Sequence, residues 1–398
     1  MSARAPRPFK ARLLRALKWS PLALLVVAIV GWWAIHRFPR LASLLVDGAR
    51  AVVGPKPIAW AEDQAYAVQD RVNRWRYKGA APTTYWSAEP PPPAPPASAL
   101  PAASASSSAA APTPGFPPPS FSAPHPGVAA PTDGQWVAIV DPHKPDSPAP
   151  LYKTLVHPDP RRSFALVAVV AIDLSRVEVR SMPGFGEPAS AALTRDKRPG
   201  LIPEGDFPRL LAAFNGGFQA VHGQWGMMVD GVTLLAPRPI GCTVARFKDG
   251  TMRVAVWKRM ADAESEMAFF RQAPPCLVEG GVVNPAAHAE KNTGWGATVD
   301  GETIIRRSAF GLDREGKIAF YGMGDSLTAG TLASAMRAAG AEEVAQLDVN
   351  WAYPRFFLFD GAAEPRISAL LAPVQNWKPD EYVRRAEFRD FFYLVARP

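Results

Sequence analysis

The sequence predicts an α+β protein: a single mixed-sheet domain with few helices, preceded by a transmembrane helix and a disordered Pro/Ala/Ser-rich linker. Three observations predict it. An uncharged, apolar stretch of 17 residues, Trp19–Ile35, follows a block of cations. Residues 88–132 are dominated by Pro, Ala and Ser. From residue 133 onward, apolar β-branched runs alternate with turn signals and only a few helical patterns. The chain has 398 residues and 43 Pro, too many prolines for one compact fold throughout.

Residues 1–18 form a basic N-terminus. Arg4, Arg7, Lys10, Arg12, Arg15 and Lys18 precede the first acidic residue, Asp47, so much of the net charge of +8 sits here. Residues 19–38, "WSPLALLVVAIVGWWAIHRF", read as a transmembrane signal anchor. Its uncharged part is roughly 25 Å long as a helix, the short end of what spans a bilayer. Trp19, Trp32 and Trp33 would lie at the two interfaces. A cleaved signal peptide needs a small-residue cleavage site, where this segment carries bulky Trp. The cations before the segment hold the N-terminus in the cytoplasm and send the rest outward. The expected product is a single-pass protein of the cytoplasmic membrane with a periplasmic or other extracytoplasmic C-terminal domain.

Residues 39–87 place Trp60, Tyr66, Val68 and Val72 at roughly helical spacing among charges, as in a juxtamembrane helix facing solvent or bilayer. Residues 88–132 hold too few large apolar side chains to offset the entropy of ordering. They are expected to act as an extended tether for the domain at 133–398.

In that domain, "SFALVAVVAIDL" (Ser163–Leu174) has the composition of a buried strand, and "RVEVRSM" after it alternates like a half-exposed one. "LTAGTLASAMRAAGA" (Leu327–Ala341) reads as a helix closed by Gly340, and "EEVAQLDV" as the buried strand that follows. Cys242 and Cys276 are compatible with a disulfide in an oxidising compartment and equally with two buried thiols. No His cluster accompanies them to make a zinc site.

The stretch "LLAAFNGGFQAVHGQWGMMVDG" (Leu210–Gly231) leaves two readings open. Asn-Gly is a strong signal for a type I′ hairpin turn, with "LLAAF" and "FQAVH" as the paired strands. Alternatively, Asn215, Gly216 and Gly217 form the lip of a site.

Five segments in order resemble the phosphodiester glycosidase family of uncovering-enzyme-like domains: Asn215–Phe218, Gly226–Gly231, Pro275–Gly281, Arg307–Gly311 and Leu347–Trp351. The last departs from the family's Leu-Asp-Gly-Gly-Gly-Ser. It keeps Asp348 and carries Val349, Asn350 and Trp351 where the family has three glycines, as in a variant branch. The resemblance implies cleavage of the bond between a sugar C1 and a phosphate oxygen. Such a site needs a fork for phosphate and a carboxylate at the anomeric carbon. Arg307 suits the first and Asp348 the second. Asn215 and Asn350 would bind sugar hydroxyls, with Gly216 and Gly217 clearing the approach. His222 would serve as acid or base. Asp230 would be either a ligand or one half of an Asp-Gly turn. Trp351 and Tyr353 could stack on sugar rings or fill a core.

The expected function is a membrane-anchored, exported glycosidase-like hydrolase acting on sugar phosphodiesters or related envelope or exopolysaccharide glycans. The alternative is a non-catalytic glycan-binding or envelope-assembly protein that retains the fold. No cofactor is assigned, although exposed carboxylates leave calcium open. The glycine motifs lack the context of nucleotide-binding loops. "GDSLT" at Gly324–Thr328 lacks the downstream His of an esterase, since every His precedes residue 289. Basic residues lack the interleaved aromatics of a nucleic-acid surface.

Overall fold

A computed structural model describes residues 55–86, 115–288, 294–295, 304–350 and 352–398. The segment 19–38 lies outside the described residues, and among those described no helix is long and apolar enough to cross a membrane. The chain forms two units, Met1–Ala59 and Trp60–Pro398. Of the first, the start of helix α1 (Pro55–Arg76) is described; the rest of the fold belongs to the second.

The strands divide over three sheets rather than gathering in one. The largest has eight strands in the order β1 (Val137–Ile139), β2 (Leu151–Val156), β3 (Leu166–Asp173), β14 (Ile318–Leu327), β13 (Ile305–Leu312), β15 (Glu343–Val349), β11 (Val278–Glu279), β12 (Val282–Val283). A second runs β17 (Arg366–Leu370), β16 (Phe356–Asp360), β5 (Leu210–Asn215), β18 (Phe391–Ala396), β4 (Val177–Met182). The third runs β7 (Val232–Leu235), β6 (Met227–Val229), β10 (Met267–Ala273), β8 (Cys242–Phe247), β9 (Met252–Val256). Their mixed character is slight. Sequential neighbours joined by short turns pair antiparallel, as β13 does with β14, and the parallel contacts are isolated bridges at Asp133–Leu155 and Glu381–Arg385.

The alternation of β3 explains its uninterrupted apolar run. Leu166, Ala168, Val170 and Ile172 face the central core shared with the two smaller sheets. Val167, Val169 and Ala171 face a second core under helix α2 (Ala329–Ala338). Both faces are covered, so no polar position is needed. Helix α2 starts at the expected place because Thr328 and Thr331 form a capping box. Gly340 follows its end with φ +107°, a conformation that costs glycine little. The central core is rich in rings: Phe214 on β5 lies against Phe310, Tyr321, Phe356 and Phe392.

Cys242 and Cys276 are joined as a disulfide, which decides between the two pairing options. Residues upstream of 133 also pack on this domain. Phe116 and Phe121, inside the stretch expected to be linker, pack on the α2-side core, and the Phe121 N–H donates to the Gly134 carbonyl. Helix α1 docks through Asp70, which pairs with Arg162 at 2.7 and 2.9 Å, and the ring of Tyr77 meets Phe164. His157 is bonded to Asp133 on one ring nitrogen and to the Thr83 carbonyl on the other. The Pro/Ala/Ser-rich composition continues to residue 132, and it is the isolated Phe side chains within it that find an apolar surface.

Candidate functional site

Strand β5 carries Asn215 into the interior. Its partners are β16 on one side and β18 on the other, so "FQAVH" is not its hairpin mate. That segment contains the short 3₁₀ turn Ala220–His222. Asn215 is fully buried and its amide is saturated. Its Nδ2 donates to Ser308 Oγ (2.9 Å) and to the Gly216 carbonyl (3.0 Å). Its Oδ1 accepts from the Tyr321 hydroxyl (2.7 Å) and the Arg355 N–H (3.3 Å). Ser308 in turn donates to the Asp348 carbonyl (2.9 Å), and the Asp348 N–H donates to the Gly216 carbonyl (3.2 Å). Asn215 and Asp348 are therefore neighbours, although 133 positions apart on the chain.

Neither Gly216 nor Gly217 has a positive φ, so this is not a type I′ turn. Space explains the two glycines. A Cβ on Gly216 would lie 2.1 Å from Asp390 Oδ2, and one on Gly217 would lie 2.6 Å from the Arg271 guanidinium carbon. Arg271 and Asp390 form a buried ion pair (2.8 Å) wrapped around this backbone, and the Gly217 N–H donates to Asp390 (2.9 Å).

Asp348, next to last in β15, is 2% exposed. Burial pushes its carboxyl up to about 6; Arg389 opposes that rise and the nearby Asp390 adds to it. Arg389 pairs with Asp348 at 2.5 Å, donates to the Gly217 carbonyl and lies 3.9 Å from the centre of the Tyr353 ring. Tyr353 donates its hydroxyl proton to the Asp390 carbonyl (2.6 Å). The cluster is thus Asn215, Asp348, Tyr353, Arg389 and the Arg271–Asp390 pair around two glycines. It offers a carboxyl whose pKa burial raises to about 6, beside a guanidinium, a combination suited to proton transfer or to attack on an electrophilic carbon beside an anion.

Arg307 does not join this cluster. Consecutive strand residues point to opposite faces, and Ser308 already points to Asn215. Arg307 therefore lies on the α2 side. Its guanidinium donates to the carbonyls of Leu327 (3.0 Å) and Trp295 (2.8 Å) and to Gln346 Oε1 (3.0 Å). Burial lowers its pKa to about 10. It lines a separate cavity of about 440 Å³ with His125, Asp159, His288, Trp295 and Thr328. Arg306, on the Ser308 face, is held by Asp325 at 2.7 Å twice rather than turned to solvent.

The remaining expected residues lie at turns. Asp230 (φ +49°) and Gly231 (φ +76°) make the tight turn between β6 and β7, and Asp230 is exposed. Asn350 is half-buried; its Oδ1 accepts from the Ala352 N–H (2.7 Å) and its own N–H donates to the Arg306 carbonyl (3.1 Å). His222 is exposed at the end of its 3₁₀ turn. Trp351 lies outside the described residues. Among the described residues, no group of three or more His, Cys, Asp or Glu is placed to hold a metal ion.

Arg389, Asp390 and Arg271 had no motif to mark them. One signal was present: Arg271 interrupts the apolar run "MAFFRQA", and a charge inside a buried strand requires a partner.

No family model matches the chain. No curated protein matches it either. Solved structures do match. The catalytic domain of zebrafish N-acetylglucosamine-1-phosphodiester α-N-acetylglucosaminidase, auto-inhibited by its pro-peptide, is 16% identical with a TM-score of 0.42, over 66% of this chain and 88% of that one. A hypothetical protein from Synechocystis is 12% identical with a TM-score of 0.36, over 62% of each chain. At these scores the likeness transfers no activity to this chain.

Proposed function

We propose that this chain is a membrane-anchored, exported glycosidase-like hydrolase acting on sugar phosphodiesters or related envelope or exopolysaccharide glycans. The segment 19–38 would anchor it, with the N-terminus in the cytoplasm and the domain outside. The observation that carries the proposal is the Asp348 carboxyl, raised to about 6 by burial and set against Arg389. Above pH 6 it is ionised and able to attack C1 or to activate a water there. Arg389 takes the role first given to Arg307. A substrate phosphate would draw this guanidinium from Asp348, and the leaving phosphate needs little protonation because it is a weak base. Asn215, through Ser308 and Gly216, positions the Asp348 backbone rather than touching a sugar.

One observation favours a non-catalytic glycan-binding protein instead: the two glycines are filled by the Arg271–Asp390 pair, which leaves them closed to a ligand. Turnover of a panel of sugar-1-phosphodiesters by the wild type and by Asp348→Asn separates the two. The hydrolase is supported by turnover in the wild type and its loss in the variant. Glycan binding with no turnover of any member by the wild type would establish the second function.

A further inference from the structure

We propose that the outward face of helix α1 seats the domain on an anionic lipid surface; this rests on the membrane anchor proposed above. The helix has two distinct faces. One turns to the domain through Asp70, paired with Arg162, and is continued by Tyr77 against Phe164. On the other, Val68, Val72 and Trp75 are 55%, 52% and 80% exposed. Their spacing of four and three residues puts them on one stripe. At about 100° per residue, Arg71 lies roughly 60° to one side of Val68 and Arg76 roughly 80° to the other. Both are exposed, as is Lys78 just beyond the helix. Asp70 is the sole acidic residue between 64 and 78, and it is turned away from this stripe.

An apolar stripe with Trp at its end and cations on both flanks is the pattern of a helix lying in the headgroup layer, its cations drawn to anionic lipid. The tether length agrees. Sixteen residues, 39–54, separate the expected membrane span from α1, and fully extended they reach at most about 55 Å. Held that close, even a weak surface affinity keeps the helix docked.

The test uses the full chain reconstituted into phosphatidylcholine vesicles with and without phosphatidylglycerol. The native cysteines are joined to each other, so a fluorophore can be placed on Val72→Cys and, as a reference, on Val282→Cys, an exposed position on β12. Quenching is read with bromine-labelled lipids. The expected result is several-fold stronger quenching at position 72 than at 282 in the phosphatidylglycerol vesicles, reduced by salt and by Arg71→Glu with Arg76→Glu. Equal quenching at the two positions would overturn the proposal. So would protection of position 72 that is the same in both vesicle types, which would place a protein there. Alkaline extraction of the same vesicles reads the anchor separately. A chain released by alkali has no membrane span, and the quenching comparison on that released chain, added back to vesicles, still decides whether the α1 face binds lipid.

Discussion

Removal of the Asp390 carboxylate should be among the most damaging single changes in the domain. Arg271 is fully buried, and every arm of its guanidinium is in use: Nε and Nη2 to Asp390 at 2.8 and 3.1 Å, Nη1 to the Trp225 and Gln272 carbonyls, Nη2 to the Phe218 carbonyl. Asp390→Ala leaves that charge buried without its counter-ion, at a cost of about 3–5 kcal/mol. It also takes the acceptor from the Gly217 N–H, roughly 1 kcal/mol more. The neutral pair Arg271→Met with Asp390→Leu removes both charges and should cost less than Asp390→Ala alone, because the sites are coupled by contact. Urea unfolding followed by Trp fluorescence measures Asp390→Ala, the double variant and its two components, Arg271→Met and Asp390→Leu, each alone. A cost below about 1 kcal/mol for Asp390→Ala would refute the reasoning. So would a double variant as damaged as the sum of the singles.

Three further outcomes are expected. Gly217→Ala drives a methyl group to 2.6 Å from the Arg271 guanidinium carbon and should cost about 1–3 kcal/mol by chemical denaturation; a neutral effect would mean the glycine keeps space for a ligand instead. Replacing Cys242 and Cys276 by Ala opens a link across a separation of 34 residues and should cost about 3–4 kcal/mol in the same measurement; an unchanged midpoint would refute this. Asp348→Asn should stabilise the protein at pH 7.5, since the folded carboxyl titrates near 6 instead of 3.8. The folded state then binds more protons than the unfolded state between those values, so this group's contribution is favourable at low pH and is lost as pH rises through 6. The variant escapes that loss, by up to about 3 kcal/mol, and the two proteins converge near pH 4. A variant less stable than wild type at pH 7.5 would mark Asp348 as a structural ion-pair partner.

Much of the fold was legible because its signals are local. The doubly buried β3, the capped helix α2 and the Asp230-Gly231 turn all follow from residues within a few positions of one another. The sequence leaves Asn215-Gly216 open between a hairpin turn and the lip of a site for the opposite reason. The strands that flank β5 arrive from residues 356–360 and 391–396, and no short-range pattern announces them. The resemblance pairs Arg307 with Asp348 as fork and carboxylate of one site. The one-residue offset between Arg307 and Ser308 puts Arg307 on the other face of the sheet, an outcome that depends on register. Arg389 and Asp390 precede the last strand with no motif around them, so their meeting with Asp348 and Arg271 is a property of the tertiary fold alone.

A working carboxyl at Asp348, with Arg389 as its electrostatic partner, has a direct kinetic signature. The most direct measurement is the pH dependence of kcat/KM on a sugar-1-phosphodiester, for the wild type and for Arg389→Met. Activity of the wild type should rise with pH through a single ionisation near 6. In Arg389→Met the midpoint should move upward, since removing the guanidinium removes the interaction that holds the Asp348 proton affinity down. A wild-type profile flat from pH 5 to 8, or a midpoint that Arg389→Met leaves in place, would contradict it.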